Sequence, residues 1–109
     1  MAAWTVRLAR QAELDIEGIL AWTEVHFGIQ QAQSYLEVLT LALEALTEGP
    51  DVVGAKQRND IQPNIRLLHV ARHGKRGRHY VVFRVPEKNR IEVLRIIHDS
   101  MDLARHLGD

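Results

Sequence analysis

The chain has 109 residues and no cysteine, which excludes disulfide bridges and thiolate metal sites and fits a cytoplasmic protein. Charged residues make up 26% and apolar residues 46% of the sequence, as in an ordinary globular protein, and no run approaches the roughly 18 apolar residues of a membrane span. We therefore expect one domain over residues 1–109, located in the cytoplasm, without a membrane segment, cofactor or metal.

The net charge of zero hides a division between the two halves of the chain. Residues 1–54 carry two basic and eight acidic side chains, whereas residues 55–109 carry twelve basic and six acidic ones, so the halves balance at −6 and +6. Within residues 55–84, Asp60 is the only acid against eight basic side chains. This asymmetry indicates either a basic surface for an acidic partner, such as nucleic acid or an acidic protein segment, or acidic helices that pair with a basic sheet in the same molecule.

The first half of the chain predicts a short strand over residues 4–8 followed by two helices. Apolar residues recur at helical spacing over 10–27, where Gly28 can end the helix, and again from Ala32 to Leu46, before Gly49 and Pro50. Helices joined by about two residues must fold back as an antiparallel hairpin. Each helix has more apolar surface than one stripe requires, so Leu14 or Trp22, if exposed, would form a docking surface for another protein.

The second half predicts a loop over residues 51–64 and then three strands, at 65–73, 78–85 and 91–97. Short turns between successive strands produce an antiparallel meander. In the middle strand, one face is wholly apolar and should pack on the helices, whereas the other mixes Tyr80, Val82 and Arg84 and should be partly open. The predicted fold class is α+β, in the order β-α-α-β-β-β-α, with a helical hairpin packed on a twisted, mostly antiparallel sheet.

The C-terminal tail concentrates polar side chains behind the last strand. The strand ends at His98, and Asp99, Met101, Asp102, Arg105 and His106 follow within a predicted short helix. Residues at a strand end can reach a ligand at the rim of a sheet, but they can equally cap the strand and keep a terminal helix soluble. A zinc site from His69, His73 and His79 is geometrically conceivable, but scattered surface histidines are commoner, and we expect no metal.

Several motifs together resemble the RelE/ParE superfamily of bacterial toxins, and most closely ParE. They are AQSY at 32–35, RNDIQPNIR at 58–66, HYVVFRV at 79–85, and RIIH at 95–98 followed by Met-Asp at 101–102 and Arg-His-Leu at 105–107. The resemblance covers essentially the whole chain, and the segment from the last strand into the tail is its most specific part.

The resemblance implies a toxin that a ParD-like antitoxin neutralises in a hetero-oligomer, as a heterotetramer or larger assembly. ParE proteins typically poison DNA gyrase and so block replication, whereas RelE relatives cut messenger RNA on the ribosome. In this sequence His98 resembles the general acid of the ribonucleases, but Tyr80 stands where they often have an arginine, and Asp60 is the only acid nearby. We therefore predict a gyrase inhibitor without catalysis, with ribosome-dependent cleavage as the alternative.

The resemblance and the charges also suggest which residues make contacts. Leu14 and Trp22 are candidates for antitoxin binding by analogy, and His98 is a structural residue or a target contact. The predicted target-binding residues are Arg58, Arg66, Arg84, Arg95, His98, Asp102 and Arg105. Three of these, Arg66, Arg84 and Arg95, could instead anchor the antitoxin or pair with Asp99 and Asp102 in the same molecule.

Overall fold

A computed structural model of the chain describes residues 3–103 and residue 105. Two long helices follow a first short strand, and four further strands complete the described fold. The elements are β1 (Thr5–Leu8), α1 (Arg10–Phe27), α2 (Ile29–Ala45), a 3₁₀ turn (Leu46–Glu48), β2 (Lys56–Gln57), β3 (Arg66–His69), β4 (His79–Glu87) and β5 (Arg90–His98).

The strands form one sheet in the order β1-β5-β4-β3-β2. Strands β3, β4 and β5 are the predicted antiparallel meander, and β1 pairs in parallel with β5 at one edge. The predicted fold class is thereby confirmed. The two-residue strand β2 pairs with β3 inside the segment that was predicted to be loop.

The helical hairpin turns at a single residue, Gly28, rather than at about two. Its φ of 94° is accessible to glycine and strained for other residues, so α1 can end there and α2 can begin at Ile29. The predicted bounds of the first helix are confirmed. The hairpin lies against the sheet, where Leu39 and Leu46 pack with Phe83 and Ile91 in the main core.

The two faces of β4 differ from one another as their sequence suggests. Val81 and Phe83 are fully buried on the helix side, as predicted. Arg84 on the other face is exposed and Val82 on that face is fully buried, so this face is partly open, as predicted. The predicted loop contains Ile61 and Ile65, which pack on Val82 in a second hydrophobic cluster and cover this part of the sheet.

A bulge in β5 sets which of its side chains face the helices. Val82 pairs with Arg95 but Phe83 pairs with Val93, so Leu94 is an extra residue on β5. As a result Val93 and Ile96, three residues apart, both belong to the helix-side core, while Leu94 packs into the cluster on the opposite face.

The boundaries of the later strands differ from the prediction. The strand predicted over 65–73 ends at His69, and His73 lies in the following loop with a φ of 51°, so these two histidines do not share a strand face. The turn predicted over 86–90 narrows to two residues, with Asn89 at a φ of 64°. In the tail, Leu103 and Arg105 are helical, whereas the rest of the predicted terminal helix, including His106, lies outside the described residues.

Candidate functional site

A groove of about 1100 Å³ runs between α1 and the loop that joins β3 to β4, residues 70–78, and reaches the end of β5. Apolar side chains of α1 line one wall, and basic side chains of the loop line the other. The groove brings together Leu14, Trp22, Phe27, Lys75, Arg76, Arg78, His79, Arg95, His98 and Met101. Four of the predicted contact residues, Leu14, Trp22, Arg95 and His98, are among them.

The α1 wall of the groove is apolar and open. Leu14 is 41% exposed, Trp22 56% and Phe27 65%. The indole of Trp22 stacks on the ring of His26 with centroids 4.2 Å apart and meets Phe27 edge-on. Clustered, exposed apolar side chains of this kind typify surfaces that bind another molecule. Leu14 and Trp22 are therefore exposed, which is the condition under which a docking surface was predicted, and their role stays a prediction.

Arg95 is held at the groove by an acid of the first helix. Its guanidinium donates to both oxygens of Asp15, at 2.8 and 3.1 Å, and the backbone N–H of Ile96 donates to Asp15 Oδ2 at 2.9 Å. Strand β1 ends at Leu8, opposite Val93. Beyond that point the edge of β5 has no neighbouring strand within residues 3–103, and Asp15 accepts in its place. The hydrogen bonds that Arg95 donates to Asp15 raise the pKa of its guanidinium.

Two histidines face one another at the end of the groove. His79 and His98 are cross-strand neighbours of β4 and β5, and their rings meet edge to face with centroids 5.2 Å apart. Tyr35 of α2 bonds to Nδ1 of His79 at 2.6 Å. Burial, and next the proximity of His98, lowers the pKa of His79 to about 4, so its imidazole is neutral at pH 7. Burial raises the pKa of Tyr35, which keeps its hydroxyl proton.

The hydrogen bonds assign the proton positions on these two rings. The backbone N–H of Ser100 donates to Nδ1 of His98 at 3.1 Å, so the neutral ring carries its hydrogen on Nε2. The hydroxyl of Tyr35 accepts from the N–H of Arg78 at 3.0 Å, which leaves its own hydrogen for Nδ1 of His79. Both neutral rings therefore bear an Nε2–H group, and neither Nε2 atom has a hydrogen-bond partner within residues 3–103 and 105.

Asp99 ties the basic loop to the end of β5. Its carboxylate accepts from Arg78 Nε at 3.1 Å and from His69 Nε2 at 2.9 Å, and its backbone N–H donates to the carbonyl of Arg78 at 2.7 Å. The Arg78 guanidinium, followed by His69, lowers the pKa of Asp99 to about 2. The N–H of Ala71 donates to Nδ1 of His69, which directs the Nε2–H of that ring at Asp99.

The other predicted target-binding residues do not reach the groove. Three arginines form ion pairs elsewhere: Arg58 with Asp60, Arg66 with Asp51 and Arg84 with Glu92. Asp102 accepts a hydrogen bond from the backbone N–H of Arg105 in the tail.

Arg66, Arg84 and Arg95 do form ion pairs within the molecule, as suggested, but not with Asp99 or Asp102. Arg66, Arg84 and Arg95 bind other acids, and Asp99 binds Arg78 and His69 instead. Pairing between the acidic and basic halves of the chain was one of the two explanations of the charge asymmetry. Among the described residues it occurs at three places: Asp15 with Arg95, Glu37 with Lys75, and Asp51 with Arg66.

Sequence reasoning did not place Tyr35, Arg78 and His79 in a site. His79 was grouped with His69 and His73 as a conceivable zinc ligand, but the described residues contain no group of three His, Cys, Asp or Glu side chains suited to a metal ion. A usable signal existed, because His79 begins β4 and His98 ends β5. In an antiparallel hairpin these positions are opposite one another.

Comparisons with known proteins agree on one family. A family model described as "ParE toxin of type II toxin-antitoxin system, parDE" matches residues 6–103. Toxin ParE1 of Caulobacter vibrioides is 32% identical over 102 residues, which cover 94% of this chain and 96% of that protein. Toxin ParE of Escherichia coli is 30% identical over 105 residues, which cover 94% and 91%.

A solved structure described as "Chromosomal ParDE TA system from P. aeruginosa" matches with a TM-score of 0.70, covering 90% of this chain and 98% of that one. At 22% sequence identity, this likeness concerns the fold. No helix among the described residues combines the length and the apolar character needed to cross a membrane.

Proposed function

Because the chain belongs to the ParE toxin family of type II toxin–antitoxin systems, we propose that it inhibits DNA gyrase and so blocks replication in the cytoplasm, without catalysis of its own. A ParD-like antitoxin silences it in a hetero-oligomer, as a heterotetramer or larger assembly. The observation that carries this proposal is the match of the family model to residues 6–103. The open apolar wall of the groove supports a protein partner.

The antitoxin binds in the groove through Leu14 and Trp22. Both side chains are substantially exposed on α1, and an exposed tryptophan such as Trp22 is a side chain that binding surfaces often use as an anchor. The matched control is Leu41 on α2, which is 45% exposed, close to the 41% of Leu14, and lies outside the groove. Leu14→Ala should weaken antitoxin binding by roughly tenfold or more, whereas Leu41→Ala should leave it unchanged.

The target contacts are Arg58, Arg66, Arg84, Arg95, His98, Asp102 and Arg105. Arg58 and Arg84 are partly exposed within their ion pairs, with side-chain exposures of 40% and 51%, so a target acid can exchange with the internal one. Arg95 is 29% exposed and more firmly held by Asp15. Of Arg58, Arg84 and Arg95, it is therefore Arg95 whose internal carboxylate is the most costly to exchange for an acid of the target.

The deciding experiment is a supercoiling assay with purified gyrase and the purified chain. Supercoiling should be inhibited, and addition of the antitoxin should restore it. Normal supercoiling in the presence of a folded chain would contradict the proposal. Arg84→Ala should weaken inhibition and Lys88→Ala, a neighbouring cation outside the proposed contacts, should not.

One observation favours the second candidate, ribosome-dependent cleavage of messenger RNA with His98 as general acid. His98 has a second imidazole, that of His79, opposite it in the groove. However, a base with a pKa of about 4 removes a proton from a hydroxyl poorly, which disfavours His79 as the partner base. A translation reaction tests this candidate, because cleaved messenger RNA that His98→Ala abolishes would establish it.

A further inference from the structure

The histidine pair, His79 and His98, is not required by anything in the proposed function. It terminates a groove whose long wall is apolar, and it is held in place from behind by Tyr35 and Ser100. Neither ring uses its Nε2–H group in the fold described above. Two fixed N–H donors that point away from their supporting residues, in a cleft, form a place for a hydrogen-bond acceptor.

The surroundings of the pair favour an anionic acceptor. Lys75 and Arg76, on the loop between β3 and β4, line the same groove. The Lys75 ammonium is 3.4 Å from Glu37, and Arg76 has no hydrogen-bond or ion-pair partner among the residues that the structure describes. A carboxylate over the pair would accept from the imidazoles and lie within a positive local field.

We propose that the histidine pair is a carboxylate-binding site that takes up a proton when it is occupied, and that its ligand is an acidic side chain of the antitoxin segment in the groove. The inference rests on the proposed function for the identity of the partner, and deepens it by naming the chemistry of one contact.

The apolar wall argues for a protein carboxylate rather than a nucleic-acid phosphate. A segment that lies along Leu14, Trp22 and Phe27 must bury apolar side chains against them, because all three are exposed apolar residues on the same wall of the groove. A nucleic-acid strand would instead place charged phosphates along much of that wall. An amphipathic peptide with one acidic side chain at the pair satisfies both parts of the groove.

Proton uptake follows from the charges that face the pair. His79 is surrounded by Tyr35 from α2, His69 from β3, Arg78 from the loop, and His98 and Asp99 from the end of β5. Burial first, and then His98, His69 and Arg78, lower the pKa of His79 and keep its ring neutral in the empty groove, whereas Asp99 acts in the opposite direction. A bound carboxylate adds a negative charge next to the rings and favours their protonated form.

The supporting residues can accommodate the added proton. A proton on Nδ1 of His98 can be donated to Ser100 Oγ, which is 2.7 Å away. A proton on Nδ1 of His79 can be donated to the hydroxyl oxygen of Tyr35, which also accepts from the backbone N–H of Arg78. The hydroxyl hydrogen of Tyr35 then loses its acceptor, as does the backbone N–H of the exposed Ser100 when His98 is protonated, so the bound carboxylate must offset one such hydrogen bond.

Formate is a suitable probe, because it is a carboxylate that stays ionised at both pH 7.0 and pH 5.5. Its binding is followed on the purified chain through the ring Cε1–H resonances of the histidines. Since binding is linked to one proton, affinity should rise as the pH falls, by at most about tenfold per pH unit. His79→Gln and His98→Gln should each weaken binding at least tenfold at pH 5.5.

The matched control is His73→Asn, which replaces a loop histidine outside the groove and retains a residue that tolerates its φ of 51°. This variant should bind formate as the unaltered chain does. Equal affinity at the two pH values, or unchanged binding in the two pair variants, would overturn the inference. Stronger binding of dimethyl phosphate than of formate would replace the carboxylate with a phosphodiester and would also overturn it.

The result is separable from that of the gyrase assay. If formate binds as expected and supercoiling is unaffected, the site stands and the proposed target fails. If supercoiling is inhibited and formate does not bind, the target stands and the site fails. The antitoxin complex provides a further test. If its dissociation constant decreases as the pH is lowered for the unaltered chain, but not for His79→Gln, the antitoxin binds the histidine pair as formate does.

Discussion

The lowered pKa of His79 predicts a loss of stability in mild acid that a single substitution removes. The folded chain holds this pKa at about 4, whereas an unfolded histidine titrates near about 6.5. Between these values the unfolded chain binds the proton and the folded chain does not. The contribution of His79 to the free energy of unfolding is therefore complete above the pKa of the unfolded chain and is lost as the pH falls from about 6.5 towards 4.

The size of this loss follows from the two pKa values. A shift of this size corresponds to about 3 kcal/mol when fully titrated, and linkage gives about 2 kcal/mol for the part lost between pH 7 and pH 5. Because His79 is only half-buried, solvent screens part of this, and about 1–2 kcal/mol is the expected range. The lowered pKa of Asp99, about 2, places its own titration below pH 4, outside the window.

Urea unfolding at pH 7 and pH 5 measures the effect directly. The free energy of unfolding of the unaltered chain should fall by about 1–2 kcal/mol more than that of His79→Gln over this interval. His73→Asn, which removes a histidine outside the groove, should retain the full loss. If His79→Gln and the unaltered chain lose the same free energy, the desolvated state assigned to this imidazole is refuted.

Three further substitutions test the contacts that shape the groove. Asp15→Asn should lower the free energy of unfolding by about 2–3 kcal/mol in urea, because it weakens the paired hydrogen bonds to Arg95 and the acceptor for a backbone amide of β5. A loss below about 0.5 kcal/mol would show that water replaces the Asp15 carboxylate. Gly77→Ala should cost about 1–3 kcal/mol and perturb the loop, because an added Cβ would clash with a methyl group of Val70. Gly18→Ala, on the groove-facing helix with open space around its Cα, should instead stabilise the chain by about 0.5–1 kcal/mol. Thermal unfolding of the two glycine variants side by side checks both signs, and a stabilised Gly77→Ala would contradict the packing of the loop.

The sequence was sufficient for the parts of the fold that periodicity and short turns determine. The first helix runs from Arg10 to Phe27 as predicted, because its apolar spacing and the glycine that ends it, Gly28, are features of the local sequence. The three-stranded meander follows from turns too short for any other connection. The parallel pairing of β1 with β5 was not predictable in this way, because it joins two strands that are separated in the chain by all of residues 9–89.

The errors occurred where side chains far apart in the sequence decide the outcome. The burial of Val82 on the partly open face of β4 was not predictable, because alternation alone shows which residues share a side, and not what covers that side. Ile61 and Ile65 cover it from a segment with no regular pattern. The bulge at Leu94 likewise leaves no mark in the sequence, although it changes the direction of every β5 residue that follows.

The charge asymmetry shows why a basic segment is a weak guide to a binding surface. Eight basic residues in 55–84 suggested a surface that attracts an acidic partner, but Arg58, Arg66 and Arg84 each have a carboxylate in the same molecule. A partner must displace that carboxylate before it gains the arginine, so the net gain is the difference between two similar contacts. Arg76, at the groove, requires no such exchange with any described residue.

Arg95 in the groove is likewise already paired with an internal carboxylate. Its guanidinium faces the cavity, yet Asp15 binds it in two places and also accepts from the backbone of β5. A ligand that displaced Asp15 would leave an amide of the sheet edge without its acceptor, which costs about 1–3 kcal/mol in addition to the broken ion pair. The apolar wall and the unoccupied imidazole N–H groups involve no comparable loss. A partner that enters this groove should therefore gain most of its affinity from Trp22 and the histidine pair, and leave the pair of Asp15 and Arg95 intact.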